Sequence, residues 1–233
     1  MNKYSQCLSL PKEAGNPSKK AELACSVKDA LFEMYPGASC ALDYAPGDDN
    51  DAFRLLIMAR LSAQCTDKRV NEVSKQLFKS YPTPYAMADA DINELERIVY
   101  PCGVYKVKSR NILDMSRIIC EKYGGKVPDD EKELLALPGV GQKITNLMMG
   151  DVFGKPAIVA DTHCIRISNK LGLCSSADPD KITAELTKLI DYKDRAAFCH
   201  AAVLFGREFC TARSPRCELC PLAKKLNERF TVN

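Results

Sequence analysis

Residues 137–143 combine a two-glycine turn with a lysine, a pairing suited to phosphate binding and nucleophilic chemistry. The run Leu-Pro-Gly-Val-Gly at 137–141 lies between two helical patterns, so the chain can turn tightly and leave amide N–H groups uncovered where the second helix begins. A helix start carries about half a positive charge, which suits a phosphate of a DNA backbone. The alternative is a corner in which glycine only turns the chain. The run alone leaves both interpretations open.

Lys143 lies in the first turn of the second predicted helix. The helix dipole disfavours a cation there, and any burial would further favour the neutral amine. A neutral lysine is a nucleophile that can attack the C1′ carbon of a deoxyribose, displace the base and form a Schiff base, whose β-elimination breaks the strand on the 3′ side. The alternative is a solvated surface lysine, which is the usual state of a lone helical lysine.

Asp161, eighteen residues after Lys143, favours the chemical interpretation. The apolar run 157–160 stops at Asp161, which predicts that this residue is the N-cap of a helix continuing to Leu171. A carboxylate near the lysine would stabilise positive charge on the sugar as the glycosidic bond breaks, or relay the lysine's proton. Capping and catalysis are compatible, because a cap holds the carboxylate still.

The elements that must position these residues are predicted to be helices. From residue 21 onward, apolar positions recur at three- and four-residue spacing, and clusters of proline and glycine divide the pattern into helices of ordinary length. Asp130 and Glu133 have the spacing of a capping box, which predicts a helix from Glu131 to Leu137 that ends against Pro138. No segment alternates like a strand and no repeat of fixed period is found, so the fold is predicted to be all-α.

Composition limits the classes of protein that fit. The 233 residues are 46% hydrophobic and 27% charged, and no apolar stretch approaches the length of a membrane span. Residues 1–21 are rich in Lys, Ser, Pro and Gly, which predicts a mobile tail without the apolar core of a secretory signal. We therefore expect a cytoplasmic protein that does not enter membranes. The net charge of +3 permits a nucleic acid partner without implying one.

Twelve cysteines without an export signal are expected to be reduced thiols. Most lie in apolar helical runs, where free cysteine is usually a small buried hydrophobic residue; this prediction covers Cys65, Cys120, Cys164, Cys174 and Cys199. The last three cysteines of the chain form a cluster: Cys210, Cys217 and Cys220.

Four motifs together carry a family resemblance. LPGVGQK at 137–143 is followed by ADTHCIR at 160–166 and preceded by LSAQCTD at 61–67 and CGVYKVK at 102–108. In this order and spacing, across residues 22–225, the motifs resemble the endonuclease III family, bifunctional glycosylase/lyases of the helix-hairpin-helix glycosylase superfamily.

The resemblance implies two helical lobes that clasp DNA between them. A six-helix barrel with the hairpin would occupy residues 45–155, and residues 22–44 with 156–233 would form the second lobe. The target nucleotide would be flipped out of the duplex to meet Lys143 and Asp161. Such a clasp needs no second copy of the chain, so we expect a monomer.

The resemblance also implies the residues that contact double-stranded DNA. Gln64 matches the position that fills the hole left in the base stack, and Val104 matches the apolar wedge. Taken alone, these two would be a surface glutamine and a buried valine. The remaining DNA contacts expected from the motifs are Leu137, Gly139, Val140, Gly141 and His163.

Lys143 distinguishes between reaction types within the superfamily, because adenine-removing relatives lack a lysine at this position and use water instead. The resemblance therefore implies a DNA glycosylase with abasic-site lyase activity, acting on oxidised or ring-damaged pyrimidines and using no nucleotide cofactor. Two alternatives stay open: a relative specialised for an oxidised purine or an alkylated base, and a non-catalytic hairpin that only clamps DNA. A clamp would need the glycines but neither Lys143 nor Asp161.

The cysteine cluster matches the family's [4Fe-4S] segment with one member replaced. Cys210, Cys217 and Cys220 reproduce the family's C-x6-C-x2-C spacing, but its fourth cysteine position is Leu226, which has no donor atom. Three hypotheses follow: a cluster held by three cysteines and another ligand, a lost cluster with cysteines kept in the core, or a zinc site. The retained cysteine spacing and the arginines around the loop, at 207, 213 and 216, favour the cluster, and these arginines could also face phosphates.

Overall fold

Helices make up all the regular secondary structure of the part of the chain that is described. The structure is a computed structural model, which describes the backbone of residues 17–230 and the side chains of residues 17–226. Within this range there are twelve α-helices, three short 3-10 turns and no strand, which confirms the all-α prediction. None of the helices in the described range is long and apolar enough to cross a membrane.

Residues 40–155 form one compact unit, called the hairpin unit below because it contains residues 137–141. Helix α6 packs against α4 and α5, while α2 packs against α3 and α8. The helices of this unit are α2 (Asp51–Ser62), α3 (Asp67–Ser80), α4 (Pro84–Ala88), α5 (Ile92–Val99), α6 (Tyr105–Tyr123), α7 (Glu131–Leu135) and α8 (Gln142–Asp151), with a 3-10 turn at Tyr100–Cys102.

Helix α2 lies at the centre of the hairpin unit. Its consecutive residues 55–59 are all buried, so the helix is covered around its circumference and not along one stripe only. Side-chain caps define the starts of the surrounding helices: Thr66 accepts a hydrogen bond from the Arg69 amide before α3, and Asp91 accepts two from the first turn of α5.

The described parts of residues 1–39 and 156–233 form the second compact unit, called the terminal unit below. Helix α1 packs against α10, α11 and α12, and α9 packs against α11. Lys28 on α1 reaches Asp194 at 2.8 Å before α11. The helices of this unit are α1 (Pro17–Met34), α9 (Thr162–Lys170), α10 (Pro179–Leu189), α11 (Arg195–Glu208) and α12 (Pro221–Phe230), with 3-10 turns at Tyr192–Asp194 and Cys217–Leu219.

Two predicted boundaries differ from the structure at the N-terminal side. The predicted tail of residues 1–21 overlaps α1, which begins at Pro17, a residue whose fixed φ suits the first position of a helix; the rest of that tail lies outside the described residues. The hairpin unit begins at residue 40 and not at 45. Leu42 and Tyr44 are buried in its core, and the Asn71 amide donates to the Ala41 carbonyl at 3.0 Å.

Helix α7 ends earlier than predicted. The Asp130 cap forms as expected, accepting hydrogen bonds from the amides of residues 132 and 133. The helix stops at Leu135, because the chain then tightens into a hydrogen bond from the Leu137 amide to the Leu134 carbonyl. Pro138 contributes to this, since a residue before proline is disfavoured in the helical conformation.

Candidate functional site

The run 137–141 forms a β-turn anchored by its apolar residues. The Val140 amide donates to the Leu137 carbonyl at 3.1 Å, and Gly139 has φ of 76°, as the third residue of a type II turn after proline requires. Leu137 and Val140 are buried in the core of the hairpin unit, whereas Gly139 and Gly141 are exposed. The side chains of Leu137 and Val140 are therefore not available at the surface of the turn.

Gly139 also sits directly on a polar pair beneath the turn. The Arg60 guanidinium on α2 donates to Asn111 Oδ1 on α6 at 3.1 and 2.8 Å, and burial lowers the pKa of Arg60. A Cβ atom on Gly139 would lie 2.4 Å from Arg60 Nε and 2.7 Å from Asn111 Oδ1. Conformation and space both require glycine here.

Helix α8 begins with exposed backbone donors. Its N-cap, Gly141, provides no side-chain cap, and the Thr145 amide makes the first helical hydrogen bond to the Gly141 carbonyl at 3.0 Å. The earlier amides of the first turn have no helical carbonyl to bond. The Gln142 side chain ties this turn to α7 through Glu131 Oε1 at 2.8 Å. The turn and helix start form an arrangement that can receive a phosphate oxygen.

Lys143 and Asp161 lie in different compact units. Lys143 is an exposed side chain in the first turn of α8, in the hairpin unit. Asp161 is the N-cap of α9, in the terminal unit, and its Oδ1 accepts a hydrogen bond from the Cys164 amide at 2.7 Å. The cap predicted from sequence is therefore confirmed, and it fixes the orientation of a half-buried carboxylate.

His163 is held by its own helix. Arg166 Nη2 lies 3.1 Å from His163 Nδ1, and because arginine can only donate, we assign Nδ1 as the acceptor and place the ring proton on Nε2. Arg166 also donates to the Cys210 carbonyl at 2.8 Å. The same arginine thus ties α9, which follows its N-cap Asp161, to the loop that contains the cysteine cluster.

Gln64 and Val104 are both exposed and both have left-handed backbones. Their φ values are 55° and 47°, in a region that few residues other than glycine adopt. Val104 is 56% exposed, so it is not the buried valine that composition alone would suggest. For a β-branched residue this conformation is an outlier, and such strain is concentrated at functional sites.

Sequence reasoning did not single out Lys108, which is a buried lysine of the hairpin unit. Its side chain is 1% exposed, and Nζ donates to the carbonyls of Leu61 and Cys102 at 2.8 and 2.7 Å. A signal was present in the sequence: Lys108 lies in helical register with Ile112, Met115 and Ile119, which form the buried face of α6. A lysine at a position where the helical pattern requires an apolar residue is the signal that could have identified Lys108.

The cysteine predictions are met only in part. Cys164, Cys174 and Cys199 are buried free thiols as expected, but Cys65 and Cys120 are only half-buried. Cys65 lies in the loop between α2 and α3, and Cys120 lies near the C-terminal end of α6.

The described residues do not assemble a complete metal site around residues 210–220. Cys210 and Cys220 are half-buried free thiols, but Cys217 is disulfide-bonded, so the expectation that every cysteine is a reduced thiol is wrong at this position. Leu226 is 1% exposed and packs as an apolar core residue, so the fourth family position offers no ligand. Within the described range, no group of three or more His, Cys, Asp or Glu side chains is placed to hold a metal ion. The donor set therefore falls short of the four thiolates of a usual [4Fe-4S] site.

Two family models match the chain. Residues 57–191 match the HhH-GPD superfamily of base excision DNA repair proteins, and residues 210–224 match the iron-sulfur binding domain of endonuclease III. The second match identifies the cysteine cluster with the family's [4Fe-4S] segment, although one of the family's ligands is replaced.

Known proteins and solved structures agree with these matches. Endonuclease III of Bacillus subtilis is 39% identical over 86% of this chain and 90% of its own length, and that of Synechocystis is 40% identical over 88% and 92%. A trapped covalent intermediate of endonuclease III with DNA superposes with a TM-score of 0.81, at 38% identity over 88% of this chain and 98% of that one. The chain therefore belongs to the endonuclease III family, the helix-hairpin-helix DNA glycosylases with associated abasic-site lyase activity.

Proposed function

We propose that this chain excises damaged pyrimidines from double-stranded DNA and cleaves the strand at the resulting abasic site, with Lys143 as the nucleophile. The observation that carries the proposal is the exposed lysine in the first turn of α8, directly after an anchored glycine turn with uncapped amides. The turn would hold a backbone phosphate regardless of sequence, which places the sugar next to the lysine.

The Lys143 amine attacks C1′ of the damaged nucleotide, and the C1′–N bond breaks as the base leaves with the bonding electrons and gains a proton. Loss of the amine proton and ring opening give a Schiff base between Nζ and C1′. Removal of a C2′ proton then expels the 3′ phosphate by β-elimination. Water finally hydrolyses the Schiff base and frees the lysine.

Asp161 supports this reaction as a carboxylate. It stabilises the positive charge that develops on the sugar or receives the proton that the lysine amine must lose. Its cap hydrogen bond to the Cys164 amide supports the role, because a carboxylate already held in place loses little freedom when substrate binds.

The proposed contacts with the duplex come from Gln64, Val104 and the glycine turn of the hairpin unit and from His163 of the terminal unit. Gln64 would hydrogen-bond to the base left without a partner, and Val104 would enter the opened base step as an apolar wedge. Gly139 and Gly141 would approach the phosphate through their backbone, supported by the buried Leu137 and Val140, and His163 would contact DNA through Nε2. The proposed active form is a monomer.

Borohydride trapping tests the nucleophile. Duplex DNA with thymine glycol or an abasic site should give a covalent adduct with the wild-type chain and none with Lys143→Gln. Lys181→Gln is the matched control, because Lys181 is also exposed in the first turn of a helix, but no glycine turn precedes it. An adduct that persists in Lys143→Gln would reject the assignment. DNA binding without any wild-type adduct would favour a non-catalytic clamp, and adducts with only oxidised purine or alkylated substrates would favour the other lesion classes.

A further inference from the structure

Lys108 is a buried cation whose two observed partners are backbone carbonyls. Nζ donates to Leu61 O at 2.8 Å and to Cys102 O at 2.7 Å, and burial lowers the pKa of the lysine. Burying an ammonium group costs free energy that two neutral acceptors offset only in part. An apolar side chain of the same length would avoid that cost but would leave both carbonyls without this donor, so the ammonium group is needed for what the two carbonyls hold in place.

The two carbonyls lie shortly before the two loop residues of the hairpin unit that have left-handed backbones, Gln64 and Val104. Leu61 lies at the end of α2, three residues before Gln64, and Cys102 ends the 3-10 turn two residues before Val104. The loops also meet through a hydrogen bond between the thiols of Cys65 and Cys102. Lys108 therefore fastens one end of each loop to a single point on α6.

We propose that Lys108 is a positioning residue that holds Gln64 and Val104 in register for insertion into DNA. The inference rests on the insertion roles proposed above. A left-handed backbone at a residue other than glycine persists only where the surrounding structure holds it. Two charge-assisted hydrogen bonds from one ammonium group supply that restraint to both loops at once.

The test variant is Lys108→Met, which keeps the unbranched chain and removes the ammonium group. Lys108→Gln, whose shorter amide reaches at most one of the carbonyls, is a second variant in case the first folds poorly. Ser109→Ala is the matched control, because Ser109 is the next residue of α6, is fully buried, and its hydroxyl has no hydrogen-bond partner among the described residues. Thermal unfolding of all variants checks the fold.

Two readouts separate positioning from general damage. Single-turnover excision of thymine glycol should fall about tenfold or more in Lys108→Met, whereas cleavage of a preformed abasic site should change by less than about threefold, because no base has to leave the stack. The fluorescence gain of 2-aminopurine opposite the lesion should fall to less than about half of the wild-type gain, since an unstacked orphan base is what the two loops produce.

Excision and fluorescence within about twofold of wild type in Lys108→Met would overturn the inference. Equal losses on both substrates together with a lowered melting temperature would overturn it as well, because they indicate a structural role only. Gln64→Ala and Val104→Gly tell the two proposals apart: if they reduce the fluorescence gain while Lys108→Met does not, insertion stands and positioning fails. If they leave the gain unchanged, the insertion roles themselves fail.

Discussion

Alanine at Gly139 should destabilise the chain far more than alanine at Gly141, two residues away in the same turn. Gly139 has φ of 76°, and a left-handed conformation costs an L-residue about 1–2 kcal/mol. The new Cβ would lie 2.4 Å from Arg60 Nε, so the arginine must move away from Asn111. A hydrogen bond to a charged group contributes about 1.5–3 kcal/mol.

Alanine has less conformational freedom than glycine in the unfolded chain, and this offsets about 0.4–1 kcal/mol of the destabilisation by Gly139→Ala. The net expectation for Gly139→Ala is a loss of about 2–4 kcal/mol in the free energy of unfolding. Gly141 has φ of −114° and nothing within 4 Å of a built Cβ. Replacing Gly141 by alanine loses the weak preference for glycine at an N-cap. It also lowers the conformational entropy of the unfolded chain, which stabilises the fold by a similar amount, so the free energy of unfolding should change by less than about 1 kcal/mol.

Urea unfolding followed by circular dichroism measures both values, and fluorescence anisotropy with duplex DNA at several salt concentrations measures phosphate binding. Gly141→Ala should bind DNA less tightly at unchanged stability, because its methyl group lies beside the uncapped amides of α8. An unchanged free energy of unfolding in Gly139→Ala would refute the left-handed turn and its packing on Arg60. Equal destabilisation by both variants would refute the distinction between the two glycines.

Three further outcomes are expected. Asp161→Asn should lower the rate of base excision by about hundredfold or more, while DNA affinity measured by gel shift is kept. The free energy of unfolding should change by less than about 0.5 kcal/mol, because asparagine caps a helix as well as aspartate does. Full activity of this variant would show that the carboxylate takes no part in the mechanism. Burial raises the pKa of the Cys174 thiol from 9.0 to about 12, so this group adds stability that is present below pH 9 and lost as pH rises toward 12. Between about pH 8 and about pH 10 the wild type should therefore lose about 1.4 kcal/mol more than Cys174→Ala in urea unfolding, and equal losses would contradict the burial. Because residues 210–224 match the iron-sulfur binding domain of endonuclease III, protein prepared anaerobically with Cys217 reduced should contain iron and absorb broadly in the visible range. The colour should fade in air more slowly in Leu226→Cys, whereas colourless, iron-free and active wild type prepared in this way would show that the cluster is absent.

Local features of the site could be read from the sequence because they depend on neighbouring residues. Asp161 and Asp130 cap their helices through amides two or three residues away, and the Pro-Gly pair at 138–139 specifies its turn through allowed φ values. The end of α7 was predicted two residues too far, because a sequence pattern does not show where a helical turn tightens.

Only the tertiary structure decided what covers each element. Arg60 and Asn111 are 51 residues apart in sequence, and nothing in either motif indicates that their pair lies beneath Gly139. The helical periodicity of the sequence indicated the buried face of α6. It did not indicate that Lys108 on this face donates to two backbone carbonyls, one of which belongs to Leu61, 47 residues away. The sequence by itself determined which residues cap, turn and carry reactive groups. Packing between distant segments decided which of them are buried, strained or held, because a one-dimensional pattern identifies a face and not its partner.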